Sequence, residues 1–174
     1  IGKVEYVDHM GTDLTIVNSA RVSFGVEKDE LDERDVKLIK YLIKHRHTST
    51  LEHNVITFRF KVPLFIRSQH HRHRTWSYNE ISRRYTDVNL EFYQPSQFKG
   101  GICREQARGV LPQNLYTEYY GSVNLNNLMK FIGLRSHDGA QWEIQRVAEA
   151  CLDIAEELYP VTVGAYREVL DENR

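Results

Sequence analysis

Alternation of apolar and polar positions marks the segments of this chain that are predicted to be β-strands. In the clearest of them, 56–62, four apolar side chains alternate with three polar ones before Pro63 ends the run. A period of two places successive side chains on opposite faces, so this segment predicts a strand with one face in the core. Strands are also predicted at 3–9, 88–92 and 115–123.

Helical spacing is clearest near the end of the chain. From Ala140 to Leu158 the apolar residues recur in steps of 4, 3, 4, 3 and 4, which predicts a long helix with one apolar stripe, ended by Pro160. Further helices are predicted at 13–22, 32–45, 63–72 and 125–135, with a short one reaching Leu170. Residues 75–84 are polar and show no clear period, so we expect a loop or bend there.

These elements predict an α+β fold in a single domain, 1–174, with helices packed on a largely antiparallel or mixed sheet. Hydrophobic residues make up 41% and charged residues 27%, which allows a core and argues against disorder. A net charge of -1 gives no general attraction to nucleic acid or membranes, and the apolar runs are too short for a spanning helix. With two cysteines and no secretory signal, we expect a reduced, cytoplasmic protein.

The densest polar segment, 66–85, could bind phosphate. It contains five arginines and three histidines but a single acid, Glu80. The same segment supplies serine hydroxyls, and guanidinium groups beside hydroxyls bind phosphate because the planar fork matches its oxygens. A solvated basic face is the alternative interpretation.

Two other functions could use the same region. Six of the eight histidines fall between residues 45 and 73, so a histidine metalloenzyme is one hypothesis. Arginines interrupt each histidine cluster and carboxylates are scarce, which disfavours a divalent cation. A nucleic-acid-binding module that uses the basic, aromatic-interleaved segment is the other hypothesis, and the net charge of -1 argues against it.

Several standard catalytic motifs are missing from the sequence. G-x-G-x-x-G, the Walker loop and G-x-S-x-G do not occur, so a bound dinucleotide would not be held by a Rossmann turn. Cys103 and Cys151 lie in no arrangement that activates a nucleophile, and a packing or surface role is favoured for both.

Residues 72–84, RHRTWSYNEISRR, resemble at every fixed position the RHRxxSxNExSxR motif of the flavin-dependent thymidylate synthases. Residues 47–53, HTSTLEH, resemble that family's H-x-[ST]-P-x-E-H, with Thr50 where proline is usual. Residues 104–112 are similar to its REQAR-x-VLP stretch, and 124–144 follow its late helices.

The resemblance implies a function. A member of this family would be a homotetramer with active sites shared between subunits, and it would hold FAD in an unusual, non-Rossmann site. It would convert dUMP to dTMP by reductive methylation. Methylenetetrahydrofolate would supply the carbon and NADPH the reducing equivalents.

The resemblance also implies roles for individual residues, and it implies no metal site. Arg135 would be catalytic, acting on the pyrimidine ring. FAD contacts are implied for His47, Ser49, Arg72, His73, Arg74, Glu80, Asn124 and Lys130. Contacts with dUMP are implied for Gln69, His70, His71, Arg72, Glu80, Ile81, Ser82, Arg83, Arg84, Arg108 and Arg135.

The chain departs from the family pattern at three places. Asn126 and Lys130 stand where the family often has arginine and asparagine, and Thr50 replaces a proline. The third departure is at 98–101, where four residues stand in place of a longer segment. We expect this to be a shortened segment or one omitted from the chain, with the motif residues left in place.

The expected chemistry agrees with the residue types. Methylation of a uracil carbon requires electron density at C5, which an enzyme can raise by cysteine addition or by favouring the N3-deprotonated ring. This chain has no evident activated cysteine but many arginines, and a guanidinium stabilises a developing anion. A reduced flavin would supply the hydride, since no side chain can.

Overall fold

A four-stranded antiparallel sheet forms the centre of the molecule. The structure is a computed structural model and describes residues 2–82, 85–86, 90–93 and 112–172. The strands are β1 (Lys3–Met10), β2 (Val55–Pro63), β3 (Ser77–Glu80) and β4 (Tyr116–Asn124), and their order in the sheet is β1-β2-β4-β3. All three pairings are antiparallel, which confirms the predicted sheet type.

Six helices of the described residues accompany this sheet, and together they confirm the α+β class. They are α1 (Asp13–Arg21), α2 (Glu33–Lys44), α3 (Leu64–His70), α4 (Leu125–Arg135), α5 (Trp142–Leu158) and α6 (Pro160–Glu172). The predicted helices agree with them within a few residues, because apolar periodicity and the prolines at 63 and 160 define their positions. Within the described parts of the chain, no helix combines the length and apolar content needed to cross a bilayer.

The core lies against one face of the sheet. Phe58 and Phe60 of β2 are completely buried, and they belong to one cluster with the apolar faces of α4 and α5. Gly121 of β4 allows this close packing. A Cβ atom there would lie 2.9 Å from the ring of Phe60 and 3.2 Å from that of Trp76. Any larger residue would therefore push Trp76 away from the sheet.

The prediction of a loop through residues 75–84 is wrong, because β3 lies within it. Ser77–Glu80 pairs with β4, with Ser77 opposite Ser122 and Glu80 opposite Tyr119. Exposure alternates along β3, since Tyr78 and Glu80 are half-buried and their neighbours are exposed. A hydrophobic pattern could not reveal this alternation, because one of the two inward residues is a glutamate.

The strand predicted at 88–92 lies only partly within the described residues. Val88 lies outside the described residues. Phe92 forms a single antiparallel bridge with Leu115, next to the start of β4. This bridge places the short described segment 90–93 beside α3, where Tyr93 packs against Phe65 at a ring distance of 5.8 Å.

Candidate active site

The turn between α3 and β3 carries the first half of the motif, and backbone hydrogen bonds define its shape. The hydroxyl of Tyr78 donates to the carbonyl of His70 at 2.9 Å and to that of His73 at 3.1 Å. The amide of Trp76 donates to the same His73 carbonyl at 3.4 Å. Arg72 and Arg74 project from this turn and are exposed.

Arg135 and His73 meet in this region although they are 62 positions apart in the chain. Arg135 is the last residue of α4, and its Nε donates to His73 Nε2 at 3.1 Å. The ring of Phe131, one helical turn earlier, packs edge-on against the His73 ring at 4.9 Å. The residue predicted to be catalytic therefore contacts one of the predicted cofactor residues.

Both groups in this contact have shifted pKa values. Burial and the charge of Arg135 lower the pKa of His73 to about 4. Burial also lowers the pKa of the Arg135 guanidinium, which nevertheless stays protonated at any physiological pH. His73 is therefore neutral at neutral pH, and Arg135 carries the only charge of the pair.

Glu80 is held by two residues at the other end of β3. Arg67 of α3 donates from Nε to Oε1 at 3.0 Å and from Nη2 to Oε2 at 2.9 Å. The hydroxyl of Thr117 donates to Oε1 at 2.6 Å. Because the carboxylate is held from both sides, its orientation is fixed before any ligand arrives.

A chain of side-chain hydrogen bonds leads from Gln69 to the start of α5. Gln69 Nε2 donates to Gln141, whose own Nε2 donates to Glu143 Oε2 at 2.8 Å. The hydroxyl of Tyr93 donates to the second oxygen of Glu143 at 3.3 Å. Glu143 is buried, so these hydrogen bonds hold the side chain of Gln69, a predicted dUMP contact, against the start of α5.

The expected substrate contact by the His70 ring does not fit its burial. The ring is completely buried, with Trp76 and Phe60 rings at 4.4 and 4.7 Å, and its Nδ1 shares a hydrogen bond with Tyr119 at 2.8 Å. Burial, with the nearby His71, lowers the pKa of His70 well below its ordinary value. His70 thus serves as a neutral core residue beneath the turn.

His71 lies nearer the surface and packs on the ring of Tyr78 at 3.9 Å. Its Nε2 is buried and has no hydrogen-bond partner among the described residues. Burial and the charge of Arg67 lower the pKa of His71. The residue as a whole is half-buried, and its contact with dUMP stays a prediction.

The remaining predicted cofactor residues lie around the start of α4. Asn124 begins this helix, and its side chain accepts from the amide of Asn127 at 2.9 Å. His47, Ser49 and Lys130 are exposed. Next to them lies a groove of about 520 Å³, lined by apolar residues of α2, α4 and α6 and by the cations Arg46 and Lys130.

The two departures next to this groove have a structural explanation. Asn126 is buried and donates to Glu52 Oε1 at 2.8 Å, so it connects α4 to the segment 47–53. Thr50 donates from its hydroxyl to the carbonyl of His47 at 3.1 Å. That bond closes the short 3₁₀ turn Thr48–Leu51 where the family uses a proline.

Three of the predicted dUMP contacts lie outside the described residues: Arg83, Arg84 and Arg108. Cys103 lies outside them as well. Ile81 and Ser82 follow β3 and are half-buried.

Cys151 is completely buried, and burial raises the pKa of its thiol well above the ordinary value. In the described ranges, no three His, Cys, Asp or Glu side chains are grouped as metal ligands would be.

Sequence reasoning missed Arg67, Gln141 and Glu52 as members of the site. Arg67 belongs to the basic segment that the sequence singled out, and Gln141 and Glu52 lie in the matched stretches. None of the three follows from local spacing, because each acts on a residue of another element. The available signal was position: Arg67 lies in the basic segment 66–85, and Gln141 and Glu52 lie in stretches that resemble the family without an assigned role.

Comparison with known proteins establishes the family. The family model described as "Thymidylate synthase complementing protein" matches residues 5–100 and 96–161. This chain belongs to that family. Its membership confirms the resemblance predicted from the three motifs. The two matched ranges overlap at residues 96–100, beside the segment 98–101 that stands in place of a longer one in the family.

Named relatives and a solved structure are similar to this chain over most of its length. The flavin-dependent thymidylate synthase of Thermotoga neapolitana is 42% identical, with 95% of this chain and 90% of that protein covered. The one from Thermus thermophilus is 39% identical, with 98% and 77% covered. The structure of PolB from Streptomyces cacaoi, a UMP/dUMP methylase bound with 5-Br dUMP, has a TM-score of 0.79 at 32% identity, with 97% and 95% covered.

Proposed function

We propose that this chain is a flavin-dependent thymidylate synthase that converts dUMP to dTMP, with methylenetetrahydrofolate as carbon donor and NADPH-reduced FAD as hydride source. The observation that carries the proposal is the contact between Arg135 and His73 within a member of this family. The names of the relatives lend no support to a nucleic-acid-binding module or a histidine metalloenzyme.

The described residues fit FAD without a Rossmann turn. Arg72 and Arg74 are exposed and form no ion pair with any residue that the structure describes, so they remain available to a diphosphate. Ser49, Asn124 and Lys130 offer a hydroxyl, an amide and an ammonium near the apolar groove. When bound, the reduced flavin supplies the hydride, and this chain's residues hold and orient it.

Arg135 would act on the pyrimidine ring. Its Nε is used by His73, whereas its two Nη groups have no hydrogen-bond partner among the described residues. These groups would donate to the uracil where negative charge develops, and a partly buried guanidinium is more effective there than one in water. Gln69 and His71 would contact the nucleotide from the α3 side, and Glu80, Ile81 and Ser82 from the end of β3.

We propose a homotetramer whose active sites are shared between subunits. Asn124 and Arg135 stand at opposite ends of α4, an 11-residue helix about 16 Å long. Glu80 lies opposite Tyr119 in the β3–β4 pairing, five residues along β4 from Asn124. One copy therefore spreads its proposed ligand residues over a wide surface, and neighbouring copies would complete each site. Sedimentation of an active monomer would contradict this arrangement. A cytoplasmic location remains a prediction.

The proposal is tested by an absorption spectrum of the purified protein before and after anaerobic addition of NADPH. We expect a flavin spectrum that bleaches, and dTMP formation from dUMP when methylenetetrahydrofolate is present. Arg74→Ala and Glu80→Ala should weaken FAD binding, whereas Arg59→Ala, on the exposed face of β2, should not. A colourless protein that gives no flavin titration at saturating FAD would overturn the proposal.

A further inference from the structure

Arg135 has an unusual partner for a residue proposed to stabilise an anion. Its guanidinium is partly buried, yet no carboxylate among the described residues pairs with it. Its one side-chain hydrogen bond in the described structure goes to an imidazole nitrogen, His73 Nε2, at 3.1 Å.

We infer that His73 is the positioning residue for Arg135: the neutral imidazole accepts from Nε and fixes the guanidinium plane so that both Nη groups face the pyrimidine. This inference rests on the proposed function, because it specifies how the chain orients the group that acts on the substrate. His73 would thus serve the reaction through Arg135, in addition to any contact with the cofactor.

The direction of the hydrogen bond determines the tautomer of His73. A guanidinium only donates, so Nε2 must be unprotonated and the ring proton must be on Nδ1. A protonated imidazole would have no acceptor for Arg135 and would repel it. The contact therefore requires the neutral, Nδ1–H form of His73.

A neutral imidazole can orient the guanidinium of Arg135 without compensating its positive charge, which a carboxylate cannot do. A carboxylate would orient the guanidinium but would also compensate its charge, and the field at the substrate would be weaker. A neutral acceptor orients the guanidinium and leaves its full charge for the negative charge that develops on the ring. This explains why a functional arginine would be paired with His73 and not with an acid.

His73 is itself held firmly enough to position another side chain. Its carbonyl accepts hydrogen bonds from Tyr78 and Trp76, and its ring packs edge-on against Phe131. Phe131 and Arg135 are four residues apart on α4 and so lie on the same helix face. The ring of His73 therefore contacts both residues: its edge packs against Phe131, and its Nε2 accepts the hydrogen bond from Arg135.

The experiment compares variants that keep or remove the acceptor. His73→Phe keeps a ring on Phe131 but accepts no hydrogen bond, His73→Leu is a second variant without an acceptor, and His73→Gln keeps an acceptor close to Nε2. Each is combined with Arg135→Lys, and kcat, KM for dUMP and FAD occupancy are measured at saturating FAD on folded protein.

Removal of the acceptor should lower kcat about 10- to 100-fold with little change in KM, because a misplaced catalytic group costs rate more than binding. His73→Gln should recover most of the loss. In the Arg135→Lys background, His73→Phe should have almost no further effect, since the two residues act as one unit. ¹⁵N NMR of wild-type His73 should show the Nδ1–H tautomer at neutral pH.

Three results would overturn the inference. They are normal turnover in both variants without an acceptor, a loss of turnover that is fully accounted for by lower FAD occupancy, and additive losses in the double variant. If Arg135→Lys alone turns over normally, the proposed role of Arg135 fails and this inference fails with it. A slow Arg135→Lys with a fast His73→Phe overturns the inference alone and leaves the proposed function intact.

Discussion

Arg67 holds both carboxylate oxygens of Glu80, with contacts of 3.0 and 2.9 Å that join the middle of α3 to the end of β3. The contact fixes the carboxylate for which we propose contacts with both FAD and dUMP. Arg67 itself is outside the matched motif, so its role here follows from the tertiary structure alone.

Replacement of Arg67 by lysine should raise the KM for dUMP about tenfold while the protein stays folded. Lysine keeps the positive charge but cannot make two parallel hydrogen bonds, and one lost charged hydrogen bond corresponds to roughly this factor. The measurement is steady-state kinetics at saturating FAD. Arg59→Lys is the matched control, because Arg59 pairs with Glu118 at 2.6 Å on the exposed face of the sheet and should behave as wild type. Equal KM values in the two variants would refute the role of Arg67.

Arg135→Lys should separate a catalytic role from a structural one. As a cation at the end of α4, Arg135 would contribute only about 0.3–1 kcal/mol of stability, which lysine would preserve. As a donor to the substrate anion it should be worth ~10²–10³-fold in kcat, which lysine cannot supply. We expect normal folding, FAD content near wild type and strongly reduced turnover. Turnover within about twofold of wild type would remove Arg135 from the catalytic residues.

Thymidylate formation should survive the loss of both cysteines. Burial keeps the Cys151 thiol protonated by raising its pKa, so it cannot serve as a nucleophile. Cys151→Ala should lower the free energy of unfolding by about 1–2 kcal/mol, since it leaves a small cavity in the core. Cys103→Ala and the double variant should remain active when loaded with FAD. A folded, FAD-loaded double variant without activity would place the chemistry on a thiol.

Stability should fall in acid because of a buried carboxylate at the start of α2. Asp35 is completely buried and pairs with Lys28 and, at 2.6 Å, with Arg21. Burial raises the pKa of Asp35, but the hydrogen bonds from these two cations and from the Asp32 amide together lower it by more, and its net pKa is below the ordinary value. The neighbouring Asp32, hydrogen-bonded to Lys28 and to the Asp35 amide, has its pKa lowered to about 2.

A lowered pKa in the folded state stabilises the protein above the unfolded value of about 4, and that contribution is lost as the pH falls toward about 2. Asp35→Asn should lower the free energy of unfolding by about 2–4 kcal/mol at pH 7, because Arg21 loses its charged partner and Lys28 keeps only Asp32. The difference from wild type should shrink as the pH approaches about 2. Glu149→Gln, in an exposed pair with Arg146, is the control and should change little. An acid dependence in Asp35→Asn as steep as in wild type would contradict the assignment.

Local periodicity determined most of the fold. Strand β2 and helix α5 were predicted within two residues of their ends, because a period of two and steps of three and four follow directly from backbone geometry. Strand β3 was not predicted. Its four residues become a strand by pairing with β4, a contact that no local pattern encodes.

For the candidate site, too, the sequence indicated some features and only the tertiary structure showed the others. The order of residues in the three motifs was sufficient to indicate the family and the cofactor, because motif positions are a property of the sequence itself. The role of Arg135, implied by the resemblance over 124–144, stays a prediction. Only the tertiary structure brought Arg135 to His73, Arg67 to Glu80 and Asn126 to Glu52. It also buried His70, for which the resemblance had implied a contact with dUMP.

The sequence by itself therefore determined which residue types this protein offers and which segments present them. The tertiary structure decided which of them touch, since the partners lie up to 74 positions apart along the chain. Hydrogen bonds and burial depend on distances in space. Those distances are set by the packing of helices on a sheet whose strands are paired out of chain order.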